Sequence, residues 1–267
     1  MPSIAQKYAD ALSTDNFGIR FSHPVGIGPN FDPEVRKYNS YRPFSFVEVG
    51  PVYPESPTGR PPRSLIRRLL MNHKTRFLPG VEDAINHISA HSPHTLIAAN
   101  IAAMPSRMDG DSVAKDLLRV FTYLYDFADI FVVDTFRKNT DGIAPLQCQE
   151  YLSESVDALL EMRLCYENIK PILLRVSNDI SDSALSSMLD YMMYSGIDGV
   201  IAGVSGDPLP LVRRINEFTK GRFPVVACGN FGPDKAAIML SEGVRLFQTG
   251  TKDAKGIIKY LTETIKK

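Results

Sequence analysis

The sequence lacks what would mark it for nucleic acid, membrane or export. Its 30 Lys and Arg residues are matched by 30 Asp and Glu, so there is no net charge and no broad basic field to attract a polyanion. No stretch comes near the ~20 apolar residues a membrane span requires. The segment Met1–Asp10 carries polar and charged residues where a secretory leader would need an apolar core. Cysteine is scarce: Cys148, Cys165 and Cys228 are widely spaced and odd in number, which argues against a disulfide framework or a CxxC metal clip. The five histidines (His23, His73, His87, His91 and His94) form no HExxH motif, and the i,i+4 pair His87/His91 reads as two surface residues of a helix. These absences predict a soluble, cytoplasmic protein without a metal, whose partner is a small molecule rather than nucleic acid or a membrane. Assembly into a homo-oligomer is left open.

What is present is a regular alternation. Eight apolar runs rich in Val, Ile and Phe recur: Pro24–Gly28, Ser45–Gly50, Thr95–Ile101, Asp129–Asp134, Pro171–Ser177, Asp198–Val204, Phe223–Gly229 and Val244–Thr249. Near-continuous apolar runs suit parallel strands buried on both faces. Amphipathic stretches between them read as helices, among them Ser112–Asp126, Gln149–Asn168, Ser181–Ser195, Pro208–Lys220, Pro233–Glu242 and Asp253–Lys266. Ser181 and Gly232-Pro233-Asp234 are helix starts, and Gly196, Gly221 and Gly243 stand where helices end. Eight such units in 267 residues predict a single (β/α)₈ barrel over residues 1–267 better than an open doubly wound sheet. The irregular part is residues 51–79, where Pro51, Pro54, Pro57, Pro61, Pro62 and Pro79 fall among several arginines and predict an elaborated loop.

In such a barrel the loops at the C-terminal ends of the strands form the functional face, with phosphate usually held after strands seven and eight. Three glycine turns, each opening a helix, fall there: Ser205-Gly206-Asp207-Pro208, Gly229-Asn230-Phe231-Gly232-Pro233 and Gly250-Thr251-Lys252-Asp253. Small residues let backbone N–H groups approach an anion, and a helix N-terminus adds a favourable dipole. Glycine also serves plain turns, but three adjacent ones favour an anion site.

The order of motifs resembles the dihydroorotate dehydrogenases from about residue 23 to 260. His23–Asp32 is similar to their NPVGxAAGFDK opening, Phe46–Pro54 to FVEVGTVTP, and Gly59–Arg63 to GNPKPR. Asn100 falls on the asparagine opening NIGKN, Asp129–Thr140 tracks DYLVVNISSPNT, Gly196–Gly199 tracks GIDG, and Ser205–Leu209 follows LSGxPL. Gly229 falls on their GGI turn and Thr251 on the threonine ending strand eight. The resemblance implies a barrel that binds FMN, oxidises dihydroorotate to orotate and serves pyrimidine biosynthesis. It implies that Ser205, Gly206, Gly229, Asn230, Gly250 and Thr251 contact the phosphate, that Gly28, Pro29 and Gly50 run beside the flavin ring, and that Asn100 and Asp134 lie beneath it.

The departures concentrate where the reaction occurs. Reading DTFRKNT against NISSPNT puts Arg137 on the serine that acts as base in the membrane-associated class, and arginine does not take a proton from carbon. Asp134 replaces an asparagine, Arg175 replaces the lysine beside the flavin, and Pro33 replaces the lysine of GFDK. The substrate loop has no counterpart near Asn72–Phe77, and Asn139 is the main substrate asparagine that remains. Arg137 and Arg175 have two readings: pairing with an acid such as Asp134 or Asp179, or clamping a ligand carboxylate or phosphate. The resemblance therefore implies either an FMN oxidoreductase with a changed substrate, bound through Asn139 and Arg137, or a non-catalytic barrel binding FMN or another phosphorylated ligand. A phosphate-using isomerase or synthase is a weaker third reading.

Overall fold

The computed structural model describes residues 12–33, 36–37, 40–58, 78–90 and 95–265. Most of the 51–79 loop, with Asn72–Phe77, and the histidines His73, His91 and His94 lie outside the described residues.

Ten strands are present among the described residues. β1 (Thr14–Asn16) and β2 (Ile19–Phe21) form an antiparallel hairpin ahead of the barrel. The other eight are β3 (Val25–Asp32), β4 (Phe46–Val52), β5 (Leu96–Ile101), β6 (Ile130–Asp134), β7 (Ile172–Val176), β8 (Gly199–Ala202), β9 (Val225–Cys228) and β10 (Leu246–Thr249). They pair in parallel, each with its neighbour in the chain, and β10 closes onto β3. Each of the eight apolar runs thus supplies one stave of a closed (β/α)₈ barrel.

The helices among the described residues are α1 (Val81–Ser89), α2 (Gly110–Leu124), α3 (Gln149–Arg163), α4 (Asp182–Ser195), α5 (Leu209–Thr219), α6 (Pro233–Ser241) and α7 (Thr251–Ile265). Ser181 caps α4 by accepting from the Ala184 amide, and Gly196 ends it with φ 96°. On α5, Lys220 takes the left-handed position and Gly221 follows it, one residue earlier than the glycine alone predicts. α1 holds His87, read as a helix residue, but its range was not among the helices read from the sequence.

β3 and β4 run past their predicted ends, to Asp32 and Val52. Both pairings shift register there, around Pro29 and Pro51, where proline cannot donate to the ladder. These irregularities carry the strand ends over the barrel mouth.

Two apolar layers hold the fold. One lies between strands and helices; the other fills the barrel interior, with Phe21, Phe46, Ile130, Leu173, Ile201, Val226 and Leu246. Aromatic rings occupy the lower interior: Phe21 meets Phe46 edge to face at 5.4 Å, and Phe17 from the hairpin packs against this layer. Glycine makes room for them, since a Cβ at Gly26 would lie 2.5 Å from the Phe46 ring and one at Gly199 would lie 2.7 Å from Phe17. The hairpin thus plugs the N-terminal end and leaves the C-terminal mouth as the accessible one.

Candidate functional site

Above the apolar layer the interior turns polar. Glu48, Asn100, Asp134, Arg175 and Gln248 are all buried, and they come from β4, β5, β6, β7 and β10. Arg175 is fully shielded and forks onto Glu48, through Nη1 to Oε1 at 2.6 Å and through Nη2 to Oε2. The same guanidinium donates to Asp134 Oδ1 at 3.0 Å and to Gln248 Oε1 at 2.9 Å. Gln248 returns a bond to Glu48 at 2.8 Å, and Asn100 donates to Glu48 at 2.9 Å. Arg137, in the loop after β6, closes the group by donating to Asp134 Oδ2. Two carboxylates thus meet two guanidinium groups, so the buried charge balances.

Balanced charge fixes the protonation states. Burial would push the Asp134 carboxyl up, but the charges of Arg175 and Arg137 outweigh it and hold the group below the usual carboxylate range. Burial works against the Arg175 charge, and Glu48 and Asp134 overcome it, so the guanidinium stays protonated. Both arginines thus pair with acids, Arg175 with Glu48 and Asp134 and Arg137 with Asp134. Asp179 instead accepts from Ser177.

The β9–β10 side of the mouth is open. A cleft of about 280 Å³ is lined by Gly28 and Pro29, by Gly229 and Asn230, by Thr249, Gly250 and Thr251, and by Val204, Phe31, Cys228 and Gln248. The turns forming it are stapled together. The Gly229 amide donates to Gln248 O at 3.0 Å and the Asn230 amide to Gly206 O at 2.7 Å. Those two amides fix the turns rather than face an anion, and Gly229 contributes space: a Cβ there would lie 2.4 Å from Gly206 O. Gly250 O accepts the Ala254 amide at 2.9 Å, which makes Gly250 the N-cap of α7 and leaves first-turn amides without helical acceptors. Next to it, the Thr249 hydroxyl is buried and has no partner among the described residues.

Of the predicted cofactor residues, the cleft gathers Gly28, Pro29, Gly229, Asn230, Gly250 and Thr251. Ser205 and Gly206 are exposed beside it, while Gly50, Asn100, Asp134 and Arg175 belong to the interior layer. The carboxamide oxygen of Asn139 accepts from the Asp141 and Ile143 amides of its own loop at 3.0 Å each, and its nitrogen donates to Arg107 O at 3.4 Å in the loop after β5. Sequence reasoning gave no site role to Glu48, Gln248, Thr249 or Cys228. A polar residue at the penultimate inward position of an apolar run, as in Phe46-Val47-Glu48 or Phe247-Gln248, was the available signal. The Cys228 thiol, pushed up to about 12 by burial, stays protonated and is a poor nucleophile.

Six buried side-chain polar atoms lack a partner among the described residues, and four of them, on Asn100, Arg137, Arg175 and Thr249, belong to this mouth. Such atoms are rare in folded interiors, so their concentration marks it as the ligand-facing end.

No protein-family model matches the chain. It is 28% identical over 271 residues to the dihydroorotate dehydrogenase (quinone) of Christiangramia forsetii, an alignment covering 90% of this chain and 79% of that one. The enzyme of the same name from Salinispora arenicola is 27% identical, with 93% and 82% covered. The chain is a divergent relative of the dihydroorotate dehydrogenases. Two crystal structures of the Eimeria tenella dihydroorotate dehydrogenase, one ligand-free and one with ferulenol, superpose with TM-scores of 0.78 and 0.75. Each match covers 96% of this chain at 17% identity, a likeness of fold. No helix among the described residues is long and apolar enough to cross a membrane.

Proposed function

We propose that the chain binds FMN at the barrel mouth and works as a flavin-dependent oxidoreductase on a substrate other than dihydroorotate. The observation that carries the cofactor is the buried hydroxyl of Thr249, a residue lining the glycine-rich cleft one position before the N-cap of α7, which has no partner among the described residues. A phosphate there takes the hydroxyl, the first amides of α7 and the helix dipole together. The residues present fit the group at this end. Thr249, Gly250 and Thr251 would hold the phosphate, and Gly28, Pro29 and Gly229 would let the rest of the nucleotide lie close to backbone.

A bound flavin supplies two-electron chemistry. The chain's own residues set what can react beside it. Arg137 cannot accept a proton, and Asp134, held as a carboxylate between two guanidinium groups, is a weak base. The proton that dihydroorotate must lose therefore has no acceptor at this position, which supports a changed substrate.

A second reading, a barrel that binds FMN or another phosphorylated ligand without turnover, is favoured by one observation. The ionic group at β6 and β7 balances its charge internally and keeps no base free. The absorption spectrum of the purified protein, with FMN added if it is colourless, tests the cofactor; failure to bind FMN overturns the flavin reading. Reduction of the bound flavin by an organic acid donor separates turnover from binding alone.

A further inference from the structure

Away from the mouth, two outer faces of the barrel carry opposite charge. Tyr194 and Leu164 are the most exposed large apolar side chains among the described residues, at 87% and 74%, and Ile169 is 54% exposed. They stand at the ends of α4 and α3 and in the turn after α3, two ends that meet where Arg163 donates to Gly196 O at 3.2 Å. Exposed acids lie one helical turn before the first two, Asp190 before Tyr194 and Glu161 before Leu164, and Glu167 joins them from the turn. Arg163 and Lys170, the cations of α3 and that turn, are engaged inward, on Asp198 at 2.6 Å and on Ala128 O at 2.7 Å. A lone exposed Leu or Tyr is ordinary, but three apolar side chains with an acidic rim have the anatomy of a contact surface. The second face is formed by α6 and α7. A Cβ at Gly256 would lie 3.9 Å from Pro233, so the two helices run level and bring exposed Ile238 and Tyr260 to nearly the same height. Here the rim is basic: α7 presents Lys252, Lys255 and Lys259 to solvent, and of these Lys259 alone lies within ion-pair range of an acid among the described residues, Glu263 at 3.9 Å.

We propose that these two faces bind each other between copies of this chain, with Tyr194 and Leu164 of one copy against Ile238 and Tyr260 of the next, and the acids of the first on the α7 lysines of the second. Charge decides the arrangement. Either face set against itself would bring like charges together, whereas acidic against basic is complementary, so the contact is head to tail rather than two-fold. Position allows it to repeat: α3 and α4 flank β7 while α6 and α7 flank β10, three staves on, so one copy can use both faces at once. With a formal net charge of zero, whole copies do not repel one another. Neither face includes the cleft at the mouth, and the contact is independent of what binds there.

Sedimentation velocity of the full-length protein tests the contact. The weight-average coefficient of the native chain should rise with concentration through the micromolar range and fall back in high salt, which screens surface charge. Tyr194→Ala and, separately, the double reversal Lys255→Glu with Lys259→Glu should each weaken association roughly tenfold. Mixing the two variants reads the geometry. Each keeps one intact face, so the mixture should form one-to-one dimers with near-native affinity and stop there; a two-fold contact gives no such recovery. A native chain that stays monomeric at every concentration, native-like association in both variants, association strengthened by salt, or no recovery on mixing overturns the proposal.

Discussion

The two sides of the barrel mouth solve opposite problems. On the β9–β10 side, glycine turns and the start of α7 leave an open cleft with an unpartnered hydroxyl. On the β6–β7 side, Arg137, Asp134, Arg175 and Glu48 close a ring of charge on themselves. The open side keeps its polar groups for something else, whereas the closed side uses most of its own for stability.

The largest expected effect breaks the closed side. Arg175→Met leaves Glu48 and Asp134 buried without their shared cation and should cost about 3–5 kcal/mol in urea unfolding. Adding Glu48→Leu should restore part of that, and a loss under about 1 kcal/mol would show that the ring is not structural. On the open side, Gly229→Ala brings a Cβ against Gly206 O and should weaken FMN roughly thirtyfold, about 2 kcal/mol, by flavin fluorescence. Thr249→Val removes the orphaned hydroxyl and should weaken FMN about tenfold while the unfolding midpoint holds or rises. Equal FMN affinity in Thr249→Val would remove the phosphate assignment.

A smaller effect reads the charge ring through pH. The Asp134 carboxyl lies below its usual range, so its contribution is complete above the ordinary carboxylate pKa and is lost as pH falls through the folded value. Unfolding midpoints of Asp134→Asn should accordingly fall less steeply in acid than those of the native chain. The smallest expected effect is none: anaerobic dihydroorotate should not bleach the bound flavin. Bleaching at a rate compatible with turnover would mean that a base lies elsewhere than position 137.

Much of the fold was legible because its causes are local. Each apolar run became a stave, and Ser181, Gly196 and Gly232-Pro233 set helix ends where their backbone preferences require. The hairpin of β1 and β2 was not legible, since three-residue strands are too short to show alternation. Half of the proposed cofactor residues gather in the cleft, because glycine turns announce themselves in sequence. The resemblance also placed Arg137 on the altered base position, but which acids the two arginines meet was open.

By itself, the sequence determined the eight-unit barrel, the glycine turns at its mouth and the exchange of a base for a guanidinium. Periodicity, turn chemistry and residue identity are properties of short windows. Tertiary structure alone decided that Arg175 faces Glu48 across 127 residues of chain and Gln248 across 73. It also decided that the Gly229 and Asn230 amides bind the turns rather than a ligand, and that Thr249 is left with a hydroxyl to give. Closing a barrel brings the fourth residue of one strand beside the third of another regardless of their separation, and no local preference encodes which charges then meet.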